Sequence, residues 1–228
     1  MKTSKKLLAL TAALLMILGL CACNSEKTQE DETATVHFDT VDEAYEAMTA
    51  AVKEGNYSDA VKYYYSGAVE SDNGDTLNWY YYSKALDDYE NDGCIGYPLD
   101  LLQNMIGDDF EGADEMISEL QTIARYFDGV YYGGEGYFLY FSEGKIAVSI
   151  ETELTGDVIC DGELLYIDDE YYWAVHNVNG YDDIQYKIII TDTGLTIETA
   201  EKMDSTATEY VGDYTYYQGE LPILYYSF

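Results

Sequence analysis

Positive charge is scarce in this sequence. Its 228 residues hold 11 Lys and Arg against 44 Asp and Glu, a formal net charge of −33. So acidic a surface repels phosphate backbones, which argues against any nucleic-acid partner. Histidine is nearly absent: His37 and His176 are the only two, and neither has a second histidine at metal-ligand spacing. With 2 Pro and 4 Cys, the chain is neither collagen-like nor a disulfide-dense scaffold. It has no glycine-rich phosphate loop and no nucleophile elbow. No catalytic residue, metal or cofactor is therefore expected. The abundant carboxylates leave an acid/base hydrolase as a third-ranked alternative, which needs two of them facing across a cleft about 5–10 Å wide. No apolar run reaches the ~20 residues of a membrane-spanning helix. What the chain does have is an ordinary 47% apolar content, which argues for a folded protein, and 26 Tyr.

The longest apolar run, Leu7 to Leu20, is broken only by Thr11 and Gly19 and follows Lys2, Lys5 and Lys6. Basic start, short apolar core and small residues at the end make an export signal. Its end, Leu20-Cys21-Ala22-Cys23, resembles the lipobox of bacterial lipoproteins. That resemblance implies cleavage after Ala22, acylation of Cys23 and anchorage on the outer face of the cytoplasmic membrane. The competing register, with the lipid on Cys21, would place bulky Leu20 beside the cut. Residues 1–22 are then a signal peptide and 23–38 an acidic tether without apolar period. Removing 1–22 takes three basic residues and no acidic one.

Residues 39–127 read as helical. Thr40 followed by Glu43 is a capping-box pattern. Ala44, Ala47, Met48, Ala51 and Val52 recur at helical spacing. Further helices are predicted from Ser58, over Thr76–Glu90, over Pro98–Ile106 and over Phe110–Phe127, with connections short enough for antiparallel neighbours. Ala47-Met48, Gly55, Tyr57, Ala60 and Tyr64 resemble the offsets of tetratricopeptide repeats. Tyr82, Ala85, Leu86, Tyr89 and Gly93 repeat them in part. Gly107–Glu115 is similar to a helix start of clostridial-type (Firmicutes) surface lipoproteins that carry such repeats. The resemblance implies a stack of helical hairpins used for protein contacts; a generic helical bundle is the alternative.

From Asp128 the period changes to two. Hairpins are predicted with turns at Ser142–Lys145, Asp168–Glu170 and Thr191–Gly194, and Tyr214–Tyr217 reads as a closing strand. Asp128–Tyr132 resembles the start of lipocalin-like bacterial domains. The fold class expected is α+β: N-terminal antiparallel, tetratricopeptide-like hairpins, then a C-terminal antiparallel β meander over 128–228, closed as a small barrel or folded as a sandwich.

The tyrosines cluster, at Tyr63–Tyr65, Trp79–Tyr82, Tyr131-Tyr132, Tyr171–Trp173 and Tyr216-Tyr217 among others. Successive aromatics on a helix cannot all face one core. Trp79, Tyr80, Tyr81, Tyr171 and Trp173 are therefore the candidate contact residues, with core filling as the competing role. Cys94 and Cys160 could form a disulfide between the two regions or remain free thiols. Asp88–Ile95 begins like a calcium loop but has Leu99 where the twelfth ligand belongs. The function expected is a membrane-anchored, non-enzymatic binding or adaptor module with a protein partner. The alternative is a lipoprotein that stacks a glycan or small ligand on Tyr and Trp rings of the β region or an inter-domain cleft.

Overall fold

The computed structural model describes residues 36–107, 110–133, 136–150, 155–156, 158–176, 182–201, 207–218 and 223–224. The stretch expected to be a signal peptide, Cys23 and most of the stretch expected to be a tether lie outside them. Thr35–Phe228 forms one compact unit.

Five α-helices come first among the described residues: α1 (Val41–Lys53), α2 (Tyr57–Ser66), α3 (Thr76–Asp92), α4 (Gly96–Asn104) and α5 (Ala113–Arg125). The cap of α1 is the one its sequence predicts. Thr40 Oγ1 accepts from the Glu43 N–H at 3.2 Å, and Glu43 reaches back to the Asp39 N–H at 3.1 Å, one residue before the standard box. Each helix packs on the next. Asp88 to Asp92 form the last turn of α3 and Gly93 ends it in a left-handed conformation, so the stretch that begins like a calcium loop is a helix end.

Helix α3 lies between two apolar cores, which explains its run of four aromatics. Trp79 and Tyr80 pack against the cluster of α1 and α2, built on Ala44, Met48, Val52, Ala60 and Tyr64. Tyr81 packs on the main core, and Tyr82 touches both. A helix with a core on two sides uses more of its circumference for large apolar groups than a surface helix does.

Eight strands then close a barrel, and the sandwich alternative falls away. The order is β1 (Gly129–Gly133), β2 (Tyr137–Ser142), β3 (Lys145–Ile150), β5 (Val158–Ile167), β6 (Glu170–His176), β7 (Asp182–Thr191), β8 (Gly194–Thr199) and β9 (Gly212–Tyr216). All neighbours are antiparallel, and β9 returns to pair with β1. Short β4 (Thr155–Gly156) and β10 (Ile223–Leu224) form a separate parallel pair. Glu143-Gly144 and Asp168-Asp169 turn their hairpins with positive φ at both residues, the handedness that matches strand twist.

Strand alternation points Leu139, Phe141, Ile146, Val148, Leu164, Trp173, Tyr186, Ile188, Leu195 and Ile197 into one core. Ile95, Leu99, Leu102, Leu120, Ala124 and Phe127 of the helical region belong to the same core. Phe127 stacks on Phe141 at 5.7 Å and meets Tyr171 edge-on at 4.7 Å. The link between α3 and α4 also bonds to β5: the Ile95 N–H donates to Leu164 O and the Tyr166 N–H to Gly93 O. The period changes near Asp128, and the apolar core runs through that point.

Candidate functional site

Trp173 and Tyr171, two of the five candidate contact residues, point into the barrel. Trp173 is 0% exposed. Its ring stacks on Tyr210 at 5.3 Å and lies 4.9 Å from Tyr186, and Tyr137 meets Tyr210 edge-on. Tyr210, from the β8–β9 connection, thus fills the barrel from one side while Phe127 and Ile95 fill it from another. These rings are occupied by each other, as in a small barrel whose interior is filled by side chains. The Trp173 indole N–H is buried without an acceptor. Gly162 makes room for it: a β-carbon there would lie 2.6 Å from Nε1 and drive into the Ala174 carbonyl.

The other three candidates, Trp79, Tyr80 and Tyr81, lie on α3, and the structure brings two further tyrosines to them. Tyr80 stacks on buried Tyr64 at 4.0 Å and lies 5.2 Å from Tyr81. Tyr65 meets Tyr80 edge-on at 5.6 Å, and their hydroxyls share a hydrogen bond of 2.6 Å. Tyr97 of α4 completes the group, beneath the Lys84 ammonium at 5.8 Å from the ring centre. Tyr65 is 66% exposed, Tyr97 43% and Leu77, one turn before Tyr80 and Tyr81, 51%. Trp79 is turned away from this face: Phe110 lies 4.9 Å from it edge-on and the Lys53 ammonium lies over its ring. Burial and the Tyr65 bond hold the Tyr80 phenol well above its usual range.

Beside this face is a buried acidic cluster. Asp88 is 8% exposed; one oxygen pairs with Lys84 and the other is buried without a partner. Burial outweighs the lysine and pushes its carboxyl pKa up. Cys94 donates to Glu163, and burial together with Glu163, Asp88 and Asp92 pushes its thiol far up. Burial takes the Cys160 thiol to about 11. Both cysteines are free and neither is bridged. A thiol held protonated is no nucleophile at neutral pH. His176 ends β6 and approaches Asp161 at 3.8 Å near the surface. Among the described residues, no group of three or more His, Cys, Asp or Glu is arranged to hold a metal ion, and no helix is long and apolar enough to cross a membrane.

An open cleft of 590 Å³ on the barrel lies beside Glu170, Tyr172, Lys187, Glu198 and Glu201. Its central groups satisfy each other: Glu170 accepts from Tyr172 at 2.6 Å and pairs with Lys187.

Sequence reasoning named Tyr80 and Tyr81 but missed Tyr65 and Tyr97. Tyr65 belongs to the Tyr63–Tyr65 run, and its i, i+1 offset from core residue Tyr64 was the signal that it points elsewhere. Tyr97 joins only because α4 folds back on α3. Compared with protein-family models, with curated proteins and with solved structures, the chain matches none.

Proposed function

We propose that the protein is a lipid-anchored extracytoplasmic binding module. Acylated Cys23 holds it to the outer face of the cytoplasmic membrane, and it recruits a protein partner without catalysis through the tyrosine face of α2, α3 and α4. The observation that carries this is the Tyr65–Tyr80–Tyr97 group, exposed on one side, with Tyr65 and Tyr80 locked by stacking and hydrogen bonding and Tyr97 lying under the Lys84 ammonium. Tyrosine gives a large amphipathic contact area at low entropic cost, and rings already fixed in the free protein lose little freedom on binding. The tetratricopeptide-like spacing of the helical region supports a protein as the occupant. The negative charge, −33 for the full sequence and larger once the three lysines of residues 1–22 are removed, favours a basic partner, with association slowed by salt. The glycan reading loses its original support, because Trp173 and Tyr171 serve as core.

The anchor is tested by acyl labelling. Cys23→Ala is expected to abolish the label and release the protein from the membrane; a retained label would assign the lipid to Cys21. The recognition is tested by isolating the intact lipoprotein from its own cells after chemical crosslinking. One stoichiometric protein is expected, reduced at least about tenfold by Tyr65→Ser with Tyr80→Ser, a loss of about 1.4 kcal/mol or more. Equal recovery with the double variant would refute the face.

A further inference from the structure

A second aromatic site lies away from the tyrosine face, and its chemistry differs. Tyr126 follows the last turn of α5, Tyr216 ends β9, and the turn Thr191–Gly194 joins β7 to β8. Together they border an open cleft of 480 Å³, with Tyr131 at its base and Asp192, Thr193 and Gln218 at its rim. Tyr126 is 64% exposed and Tyr216 48%. Neither ring belongs to an apolar core cluster, so core filling does not account for them.

The Tyr216 ring is fixed as a platform. It lies over Gly129, where a β-carbon would be 2.5 Å from its Cε2 and 3.3 Å from its hydroxyl. Gly129 also has φ +146, a conformation that side chains disfavour. Tyr131 meets Tyr216 edge-on at 5.5 Å and is itself tied by its hydroxyl to Phe127 O at 3.0 Å. The Tyr216 N–H donates to Thr193 O at 3.2 Å, which joins the platform to the rim.

The lining selects among ligands. Asp192 is the one charged group among its described residues, and there is no cation. On a chain of net charge −33 this disfavours phosphates, sulfates and uronic acids. A flat apolar molecule wants an enclosed slot; this cleft is open, with hydroxyl, amide and carboxylate groups beside exposed phenol faces. A pyranose offers the matching surfaces: an apolar C–H face for a tyrosine ring, and hydroxyls around its edge for Asp192, Thr193 and Gln218. The volume is within the roughly 300–1,000 Å³ of ligand sites.

We propose that the cleft between Tyr126 and Tyr216 binds a neutral oligosaccharide, with Tyr216 as the stacking platform and Asp192 as acceptor for sugar hydroxyls. The site is independent of the protein-binding face.

The test is saturation-transfer NMR on the detergent-solubilised full chain, with chitotriose, cellotriose, maltotriose and laminaritriose each offered in excess. At least one is expected to receive saturation, and a phosphorylated sugar none. Tyr216→Ala should weaken binding at least about tenfold, and Gly129→Ala should do so by pushing the retained Tyr216 ring out of position. Tyr126→Ala, a change at an exposed helix end, should weaken binding with an unchanged melting temperature. Tyr65→Ser with Tyr80→Ser should leave the transfer intact, which separates this site from the partner face. Absence of transfer to all four trisaccharides, or transfer that survives Tyr126→Ala with Tyr216→Ala, would overturn the proposal.

Discussion

Trp173→Ala is expected to cost about 3–5 kcal/mol of folding stability, a large share of the about 5–15 kcal/mol that holds a domain together. The indole has no exposed surface and packs against both Tyr186 and Tyr210, which also touch each other, inside a closed barrel. Strands on every side prevent collapse into the space left behind. Trp173→Phe is expected to lose far less, within about 1.5 kcal/mol of the parent, because it keeps the ring contacts and removes a buried N–H that has no acceptor. Urea unfolding of the three proteins checks both. A small loss in Trp173→Ala would mean that the interior is loosely filled, and would return the barrel to consideration as a ligand cavity.

Alkali is expected to unfold the protein in one cooperative step starting near pH 10. Burial, aided by Glu119 for Tyr89 and by Glu170 for Tyr172, raises both phenols from 10.0 to about 12. Burial pushes Tyr210 and Tyr80 further, and takes Cys160 from 9.0 to about 11. Each of these groups holds its proton more tightly folded than unfolded. Such a group contributes stability that is complete below its unfolded pKa and is lost as pH rises toward its folded value. The losses therefore begin together, near pH 9 to 10. Tyrosinate absorbance and the circular dichroism signal are expected to change in the same narrow range. A gradual tyrosine titration with the fold intact would show that the rings lie in water. The sign is the same at the acid end. Burial raises the carboxyl pKa of Asp88, and burial with Asp87 raises that of Glu90, so each favours the fold as pH falls through its raised folded value toward the ordinary carboxylate range.

Local chemistry was the legible part of this fold. The Thr40–Glu43 cap, the hairpin at Glu143-Gly144 and the pair Asp168-Asp169 are each decided within a few residues, and each is found where its sequence places it. Closure of the barrel is not local. It depends on Tyr131 pairing with Tyr216, distant in sequence, and no periodicity announces which strands will meet. The same limit governed the aromatic residues. Alternation puts Tyr171 and Trp173 on one face of β6 and Tyr172 on the other, but cannot say which face is inward. The stacking role assigned to Trp173 failed because its face is the core. Trp79 and Tyr80 pack on a second core, built by α1 and α2, while Tyr81 packs on the main one, and the presence of that second core on one side of α3 is a tertiary fact. Tyr126 and Tyr216 could be brought together only by the barrel and its last helix.

The most direct test of the central claim places a photo-crosslinking amino acid on the tyrosine face of the intact protein in its own cells. Positions 65 and 97 are on the face, and position 119 of α5 is the control. Protein recognition through the face requires that 65 and 97 capture the same single protein, and that 119 does not. Capture of that protein equally from all three positions, or its capture from 119 alone, would contradict the account.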